Sequence, residues 1–319
     1  MDAQLLRRAD EVTAGLALTI PDFPLPIPGV VPTLAELIAL REAAAGRRPP
    51  GSGRHGGSGP APSPVRGRGM EYAESRGYAQ GDDARHIDWR VTARTGRMHT
   101  KLFQAERQRL TLLVADTSPA LYFGTRVRFK SVQAARAGAV AAWAALRDGD
   151  RLAALRGSQG QGPVAPAGGT RGVLRVLDAL ARWYAASPED DAGLALALER
   201  ARLLLRPGSR LYVTADAGSV AAVPPSAWAG LALHHEVAVV LVEDRLERDP
   251  PRARLPFLDG GRRLEVDLAG SRQRGRWQDA FGGAVADAVA TLRARGVRAH
   301  VLAADAPSHA WLPTGAVRA

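Results

Sequence analysis

The chain has no cysteine among its 319 residues. That excludes a disulfide framework, thiol catalysis and cysteine-ligated zinc or iron–sulfur centres. Lysine is nearly absent too: of 43 basic residues only Lys101 and Lys130 are lysines, the rest arginine. No apolar run reaches the ~18–20 residues of a membrane span; the best candidate, around Ala134–Leu146, is interrupted by Arg136. Near the N-terminus Arg7, Arg8, Asp10 and Glu11 precede a short, weak apolar stretch, a poor signal peptide. A cytoplasmic protein is the expectation. Three catalytic signatures are also missing. There is no Gly-x-x-x-x-Gly-Lys phosphate loop, no Gly-x-Ser-x-Gly nucleophile turn, and no His-x-x-x-His spacing among the seven histidines.

What is present points to a folded, basic protein. Apolar residues make up 46% of the chain, enough for a sizeable core in one large domain or two modest ones. The net charge is +11, and arginine grips phosphate or carboxylate in a bidentate fork. Yet the charge is spread along the chain without a block of like sign, and Ala, Gly and Pro are abundant as well. That pattern fits a coding bias better than a phosphate footprint, so nucleic acid is not the expected partner.

The chain divides by texture. Residues 1–64 read as an N-terminal arm, with four prolines in Ile20–Val31 and a capping box at Thr33-Leu-Ala-Glu36 that opens a helix to about Ala45. A Gly/Pro/Ser/Arg linker at Arg47–Pro64 follows. Residues 65–109 read as short strands and tight turns, the clearest at Gln80-Gly-Asp-Asp83. From 110 to 305 apolar strands alternate with helical stripes. Strands are expected at 110–115, 151–155, 162–165, 210–215, 236–242 and 298–303, with a hairpin at 254–267. Helices are expected at 129–146, 172–185, 192–205, 225–233 and 272–295. The expected fold is therefore α/β, a doubly wound, mostly parallel sheet preceded by an irregular arm and a small β-rich segment, with a tail at 306–319.

Four of those strands end in acid: Leu113-Val-Ala-Asp116, Val213-Thr-Ala-Asp216, Val240-Leu-Val-Glu-Asp244 and Leu302-Ala-Ala-Asp305. In open parallel sheets ligands bind at the carboxyl ends of the strands. Carboxylates gathered there repel unless a cation, an arginine or a hydroxyl network separates them. The simpler role is that each Asp caps the helix that follows its strand. Asp116 stands out because Thr117 and Ser118 add hydroxyls directly after it. A phosphatase-type nucleophile at Asp116 wants a second carboxylate two residues on, where Ser118 stands instead.

The densest polar stretch is Gly67–Arg90, in which acids and bases interleave with Tyr and Trp. Interleaving favours a hairpin held by Asp–Arg pairs. On that reading Asp82 or Asp83 closes a turn, Asp88 pairs with Arg85 or Arg94, and Trp89 fills a core gap. Trp183 and Trp277 read as helix core residues.

At this segment the sequence resembles a known family. Glu71-Tyr72, Arg76-Gly-Tyr78, Gln80-Gly-Asp-Asp83, Arg85, Ile87-Asp-Trp-Arg90, Ala93-Arg-Thr-Gly96 and Lys101-Leu-Phe103 resemble the signature of the DUF58 family. The likeness continues through Glu106-Arg107, Leu112–Asp116, Phe123-Gly124, Phe129-Lys-Ser131 and Gly149-Asp-Arg151. The resemblance implies a von Willebrand factor A-like domain without established catalytic activity. It also implies a scaffold or adaptor role beside a MoxR-type AAA+ ATPase. Tyr78, Gly81, Asp82, Asp83, Arg85, Asp88, Trp89, Arg90 and Arg94 become candidate signature or partner-binding residues. A-type domains hold a divalent ion through Asp-x-Ser-x-Ser, a loop Thr and a later Asp. Asp116 and Ser118 match the first two positions, Asp216 fits the last, and Ala120 replaces the second Ser. No loop Thr precedes Ala192, where Asp190 and Asp191 stand instead. The expectation is a degenerate site for which Mg²⁺ is the candidate ion and strand-end hydrogen bonding the simpler role. The alternatives are an Mg²⁺-dependent phosphotransfer or hydrolytic enzyme using Asp116 and Asp216, and nucleic-acid binding through 66–109.

Overall fold

The computed structural model describes residues 27–45, 66–104, 109–259 and 262–312. Contacts divide the chain into two units, Met1–Arg54 with Leu110–Ala319, and His55–Arg109. The linker expected at 47–64, most of the proline-rich stretch at 20–31, the Gly-Gly turn of the 254–267 hairpin and the tail beyond 312 lie outside the described residues.

In the larger unit two short helices, α1 (Leu34–Ala39) and α2 (Arg41–Ala44), come first. Thr33 caps α1 by accepting the Glu36 N–H at 3.2 Å. Only this half of the expected capping box forms, because the Glu36 carboxylate pairs with Arg136 instead.

The smaller unit is described by itself. Strand β1 (Arg66–Gly77) pairs antiparallel with β2 (His99–Gln104), with two register shifts. A 3₁₀ turn at Ala84–His86 and a helix, α3 (Trp89–Thr95), lie between them. The sequence pattern missed α3, because seven residues with one partly polar turn carry too little period to show.

The remaining elements belong to the larger unit. They are β3 (Leu110–Ala115), α4 (Lys130–Arg147), β4 (Arg151–Arg156), β5 (Val164–Ala167), α5 (Gly169–Trp183), α6 (Gly193–Leu204), β6 (Arg210–Ala215), α7 (Ala217–Ala221), α8 (Pro225–His234), β7 (Glu236–Glu243), α9 (Arg245–Arg248), a hairpin of β8 (Arg254–Asp259) and β9 (Arg262–Asp267), α10 (Ser271–Gln278), α11 (Ala284–Ala294) and β10 (Arg298–Ala303). Six of the strands form one sheet in the order β10-β7-β6-β3-β4-β5, parallel except for β5. This is the mixed α/β architecture, with a mostly parallel central sheet, that the strand–helix alternation predicts.

Continuous apolar runs suit strands covered on both faces, and β6 is buried at every position. One face packs α4 and α5 with Leu37 and Leu40; the other packs α6, α8 and α11. The expected apolar stripe on α4 is instead burial all round from Lys130 to Ala145, Arg136 excepted, since α1 and α2 cover its outer side. The Trp143 indole donates to the Leu37 carbonyl at 3.1 Å, and Arg147 to that of Ala44 at 3.1 Å. Small residues allow this density. A Cβ at Gly138 would meet Leu180 Cδ1 of α5 at 3.0 Å.

The long helix expected at 272–295 is present from Ser271 to Ala294, but it is not α-helical throughout. A π-helical turn, Asp279–Gly283, separates α10 from α11 at the Gly282-Gly283 pair. Trp183 is a core residue as expected. Trp277 is half-buried, its indole donating to the Leu246 carbonyl at 2.9 Å and its ring 4.5 Å from that of Phe281.

The two faces of α6 give a direct test. Leu198 is buried against the sheet, whereas Leu203 is 86% exposed. Leu198→Ala should cost about 2–5 kcal/mol in urea unfolding, and Leu203→Ala no more than about 0.5 kcal/mol.

Candidate functional site

Strand order determines where a site can form. The chain leaves β3 for β4 on one side and later returns to β6 on the other, so the crevice between the carboxyl ends of β3 and β6 is the switch point of the sheet. Asp116 and Asp216 follow those two strands directly, and the Asp216 N–H donates to Asp116 Oδ2 at 2.9 Å.

Asp116 is 2% exposed and accepts two further bonds, from the Ser118 N–H at 3.0 Å and the Ser118 hydroxyl at 3.2 Å. Ser219 in turn donates to Ser118 Oγ at 3.1 Å, making a hydroxyl relay across the crevice. Burial pushes the Asp116 carboxyl up to about 6, against the lowering effect of the bonds it accepts. Thr117 reaches the neighbouring loop, donating to Asp191 at 3.0 Å, while Asp190 pairs with Arg156 at 2.7 Å and with the Ser158 hydroxyl.

The cation that the acid-ended strands require is Lys130. Its ammonium, 1% exposed, donates to Asp216 Oδ2 at 2.8 Å and to Glu247 Oε1 at 2.6 Å. Burial alone pulls the ammonium's pKa down, but the two carboxylates outweigh it and hold the group above its ordinary value. Lys130 is also the first residue of α4, where the helix dipole disfavours a cation, so its charge depends on these partners. Burial likewise pushes Glu247 up, opposed by Lys130. Its second oxygen, Oε2, accepts the Asp244 N–H at 2.8 Å in a complete capping box that opens α9.

The simpler capping role holds for two of the four strand-end acids, Asp216 and Asp244; no helix starts directly after Asp116, whose carboxylate closes a turn through the same type of bond. Asp116, Asp216 and Asp244 each accept the N–H two residues on, from Ser118, Gly218 and Leu246, at 3.0, 2.8 and 2.8 Å. Of the expected set, Asp116, Ser118 and Asp216 come together. Lys130 and Glu247 were missed as site residues. Lys130 stood in a quoted family motif and is one of only two lysines, which was the available signal; Glu247 had none.

In the smaller unit the signature residues are arranged differently from the expected Asp–Arg pairing. Asp88 does not pair with Arg85 or Arg94. It caps α3 by accepting the Val91 N–H at 3.1 Å, and it accepts the Ser75 hydroxyl at 2.6 Å. Asp82 does hold an arginine, Arg76, at 2.6 Å, and accepts the Ala79 N–H at 2.9 Å, closing the turn in which Gly81 has φ +105°. The Ala79 N–H and then Arg76 hold the Asp82 carboxyl below its usual range. The Ser75 hydroxyl and then the Val91 N–H do the same for Asp88. Tyr78 donates its hydroxyl to the Asp82 carbonyl at 3.1 Å, and Asp83 caps the 3₁₀ turn through the Arg85 N–H at 3.0 Å. Trp89 fills no core gap. It is 68% exposed, with Arg85, Arg90 and Arg94 exposed nearby in the chain.

Residues 74–282 match the family described as Protein of unknown function DUF58. The chain belongs to the DUF58 family. Three curated relatives, one from Mycobacterium bovis and two from strains of Mycobacterium tuberculosis, are 43% identical over 91 residues, and each is described as an uncharacterized protein. The match spans 28% of this DUF58 chain and only 29% of the length of each relative. No solved structure matches. Among the described residues no helix is long and apolar enough to cross a membrane, and no three carboxylate or imidazole groups are gathered as a metal-ligand set.

Two predictions follow from these partners. Lys130→Met leaves Asp216 and Glu247 facing each other without their cation and should cost about 3–5 kcal/mol in urea unfolding. Asp116 gives a pH signature. Its folded carboxyl is raised from 3.8 to about 6, so the folded state holds more protons than the unfolded one between those values. Stability should therefore fall as pH rises through that window, by on the order of 3 kcal/mol, and level off above it. In Asp116→Asn that part of the slope should vanish; an unchanged slope would assign it to other groups.

Proposed function

We propose that this protein is a non-enzymatic scaffold or adaptor built on a von Willebrand factor A-like domain. Its partner is a MoxR-type AAA+ ATPase, in a chaperone-like or complex-maturation role. The observation that carries the reading is Trp89. A large aromatic side chain is left 68% exposed on a helix whose two ends are fixed, by the Asp88 cap and by Gly96 at φ +69°. Exposed Trp beside Arg is the composition of binding hot spots, and rigid presentation lowers the entropy lost on docking. Tyr78, Gly81, Asp82, Asp83 and Asp88 build the support; Arg85, Trp89, Arg90 and Arg94 form the contact surface. The A-like assignment is supported by the parallel sheet, by helices on both faces, and by Asp116 and Ser118 after its central strand.

Asp116, Ser118 and Asp216 serve this scaffold without Mg²⁺. Asp216 has its positive partner in Lys130, and the Asp116 carboxylate is occupied by three donors from the chain itself. The same donors count against a phosphotransfer or hydrolytic enzyme at Asp116, since a nucleophile needs an accessible lone pair and this carboxylate is 2% exposed.

Trp89→Ala should weaken capture of a MoxR-type ATPase by about thirtyfold or more, equivalent to about 2 kcal/mol, while leaving the unfolding midpoint unchanged. Equal affinity of wild type and variant would remove Trp89 as the anchor. Absence of any complex with such an ATPase would overturn the partner assignment.

A further inference from the structure

The crevice beside Lys130 opens into a pocket of about 320 Å³, at the lower end of the range for small-ligand sites. Its polar end is formed by Asp216, Glu247, Ser118 and Ser219, and its apolar wall includes Phe281 and Val285. Phe281 belongs to the π-helical turn that interrupts the α10–α11 helix, so the wall is set by an irregularity, and such turns recur at functional sites. The chain carries 43 basic residues, yet among the described residues no basic side chain lines this pocket. Lys130 lies behind the two carboxylates, which are themselves 17% and 12% exposed. The surface a ligand meets is therefore acidic and hydroxylated at one end and apolar along the side.

We propose that this pocket receives a basic side chain, arginine in the first instance, from a protein partner. The proposal rests on the protein-binding reading above and names the group that enters the larger unit. One ammonium serves two contacting carboxylates, leaving net negative charge in a poorly solvated crevice, which a second cation offsets. Each carboxylate oxygen here already accepts one bond but keeps a lone pair for an incoming N–H. An aliphatic stem lies along Val285, and the Phe281 face is available to a guanidinium. A divalent ion uses this site poorly. It requires several oxygens at close octahedral range, and an apolar wall does nothing for a hydrated ion.

The test titrates the full chain with n-butylguanidinium, a stem-and-guanidinium probe, following the NMR signals of Phe281 and Val285. Its neutral isostere n-butylurea and Mg²⁺ are run in parallel. Saturable shifts are expected with n-butylguanidinium, at least about tenfold weaker with n-butylurea because the charge-assisted bonds are lost. Asp216→Asn should abolish them, but it also disturbs Lys130. Val285→Arg, on a partly exposed helix face, therefore supplies an independent block that places a guanidinium in the pocket from the wall. Equal affinity for the urea, no saturation, or saturable Mg²⁺ binding that displaces the probe would each overturn the proposal. Capture of the ATPase by a chain that ignores n-butylguanidinium would overturn this inference and leave the scaffold reading intact. Saturable binding of the guanidinium without ATPase capture would uphold the pocket and overturn that partner assignment.

Discussion

A buried ammonium lets acidic groups share one end of the central sheet. Doubly wound sheets gather their strand ends along a single edge, and here β3, β6 and β7 each deliver an acid to it. Two of these acids and a third from α9 lie around the β3–β6 crevice. The repulsion among them is offset by Lys130, placed on α4 directly after the loop that leaves β3. The position is costly for a cation, being 1% exposed and at the positive end of a helix. Asp216 and Glu247 are therefore as necessary to Lys130 as Lys130 is to them. The helix start, the α9 capping box and the β6 strand end become one mutually dependent unit, so removing one member leaves a buried charge rather than a neutral gap.

The same interaction separates structure from reactivity at Asp116. Its carboxyl is surrounded by donors from Ser118 and Asp216, and its proton affinity is raised by burial rather than by a partner poised to use it. A catalytic carboxylate needs the reverse arrangement, an accessible lone pair and a second group to take or give a proton. The polar end of the adjoining pocket suits the recognition role proposed for it. It combines fixed hydroxyls, two partly exposed carboxylates and an apolar wall, with its counter-charge held out of reach behind them.

The fold was legible where burial is simplest. Strands covered on both faces are continuous apolar runs, and β3, β6 and β7 lie where those runs stand in the sequence. Helix α4 was placed correctly but with the wrong surround, because a one-sided stripe cannot announce that a separate segment, 34–44, packs over its outer face. Short helices escaped. Both α3 and α7 span under two turns, and each is started by an Asp cap whose partner bonds decide its existence more than any period does. The π-turn within the 272–295 helix had a visible cause in its paired glycines, though glycine content alone does not distinguish a kink from a π-turn.

The site shows a similar division between local and long-range information. Asp116, Ser118 and Asp216 were readable because a strand's end is a local feature. Lys130 and Glu247 reach Asp216 across 86 and 31 residues of chain respectively, the first by ion pair and the second only through Lys130. No spacing rule covers such separations. In the signature segment interleaved Asp and Arg suggested pairing, but Asp88 was drawn to the free N–H groups at the start of α3, which lie three residues away and need no long side chain to be ordered. That choice released Arg85 and Arg94 to the surface beside an exposed Trp89. The local competition between a helix cap and an ion pair thus turned a segment that reads as internally satisfied into one with an exposed aromatic and basic face.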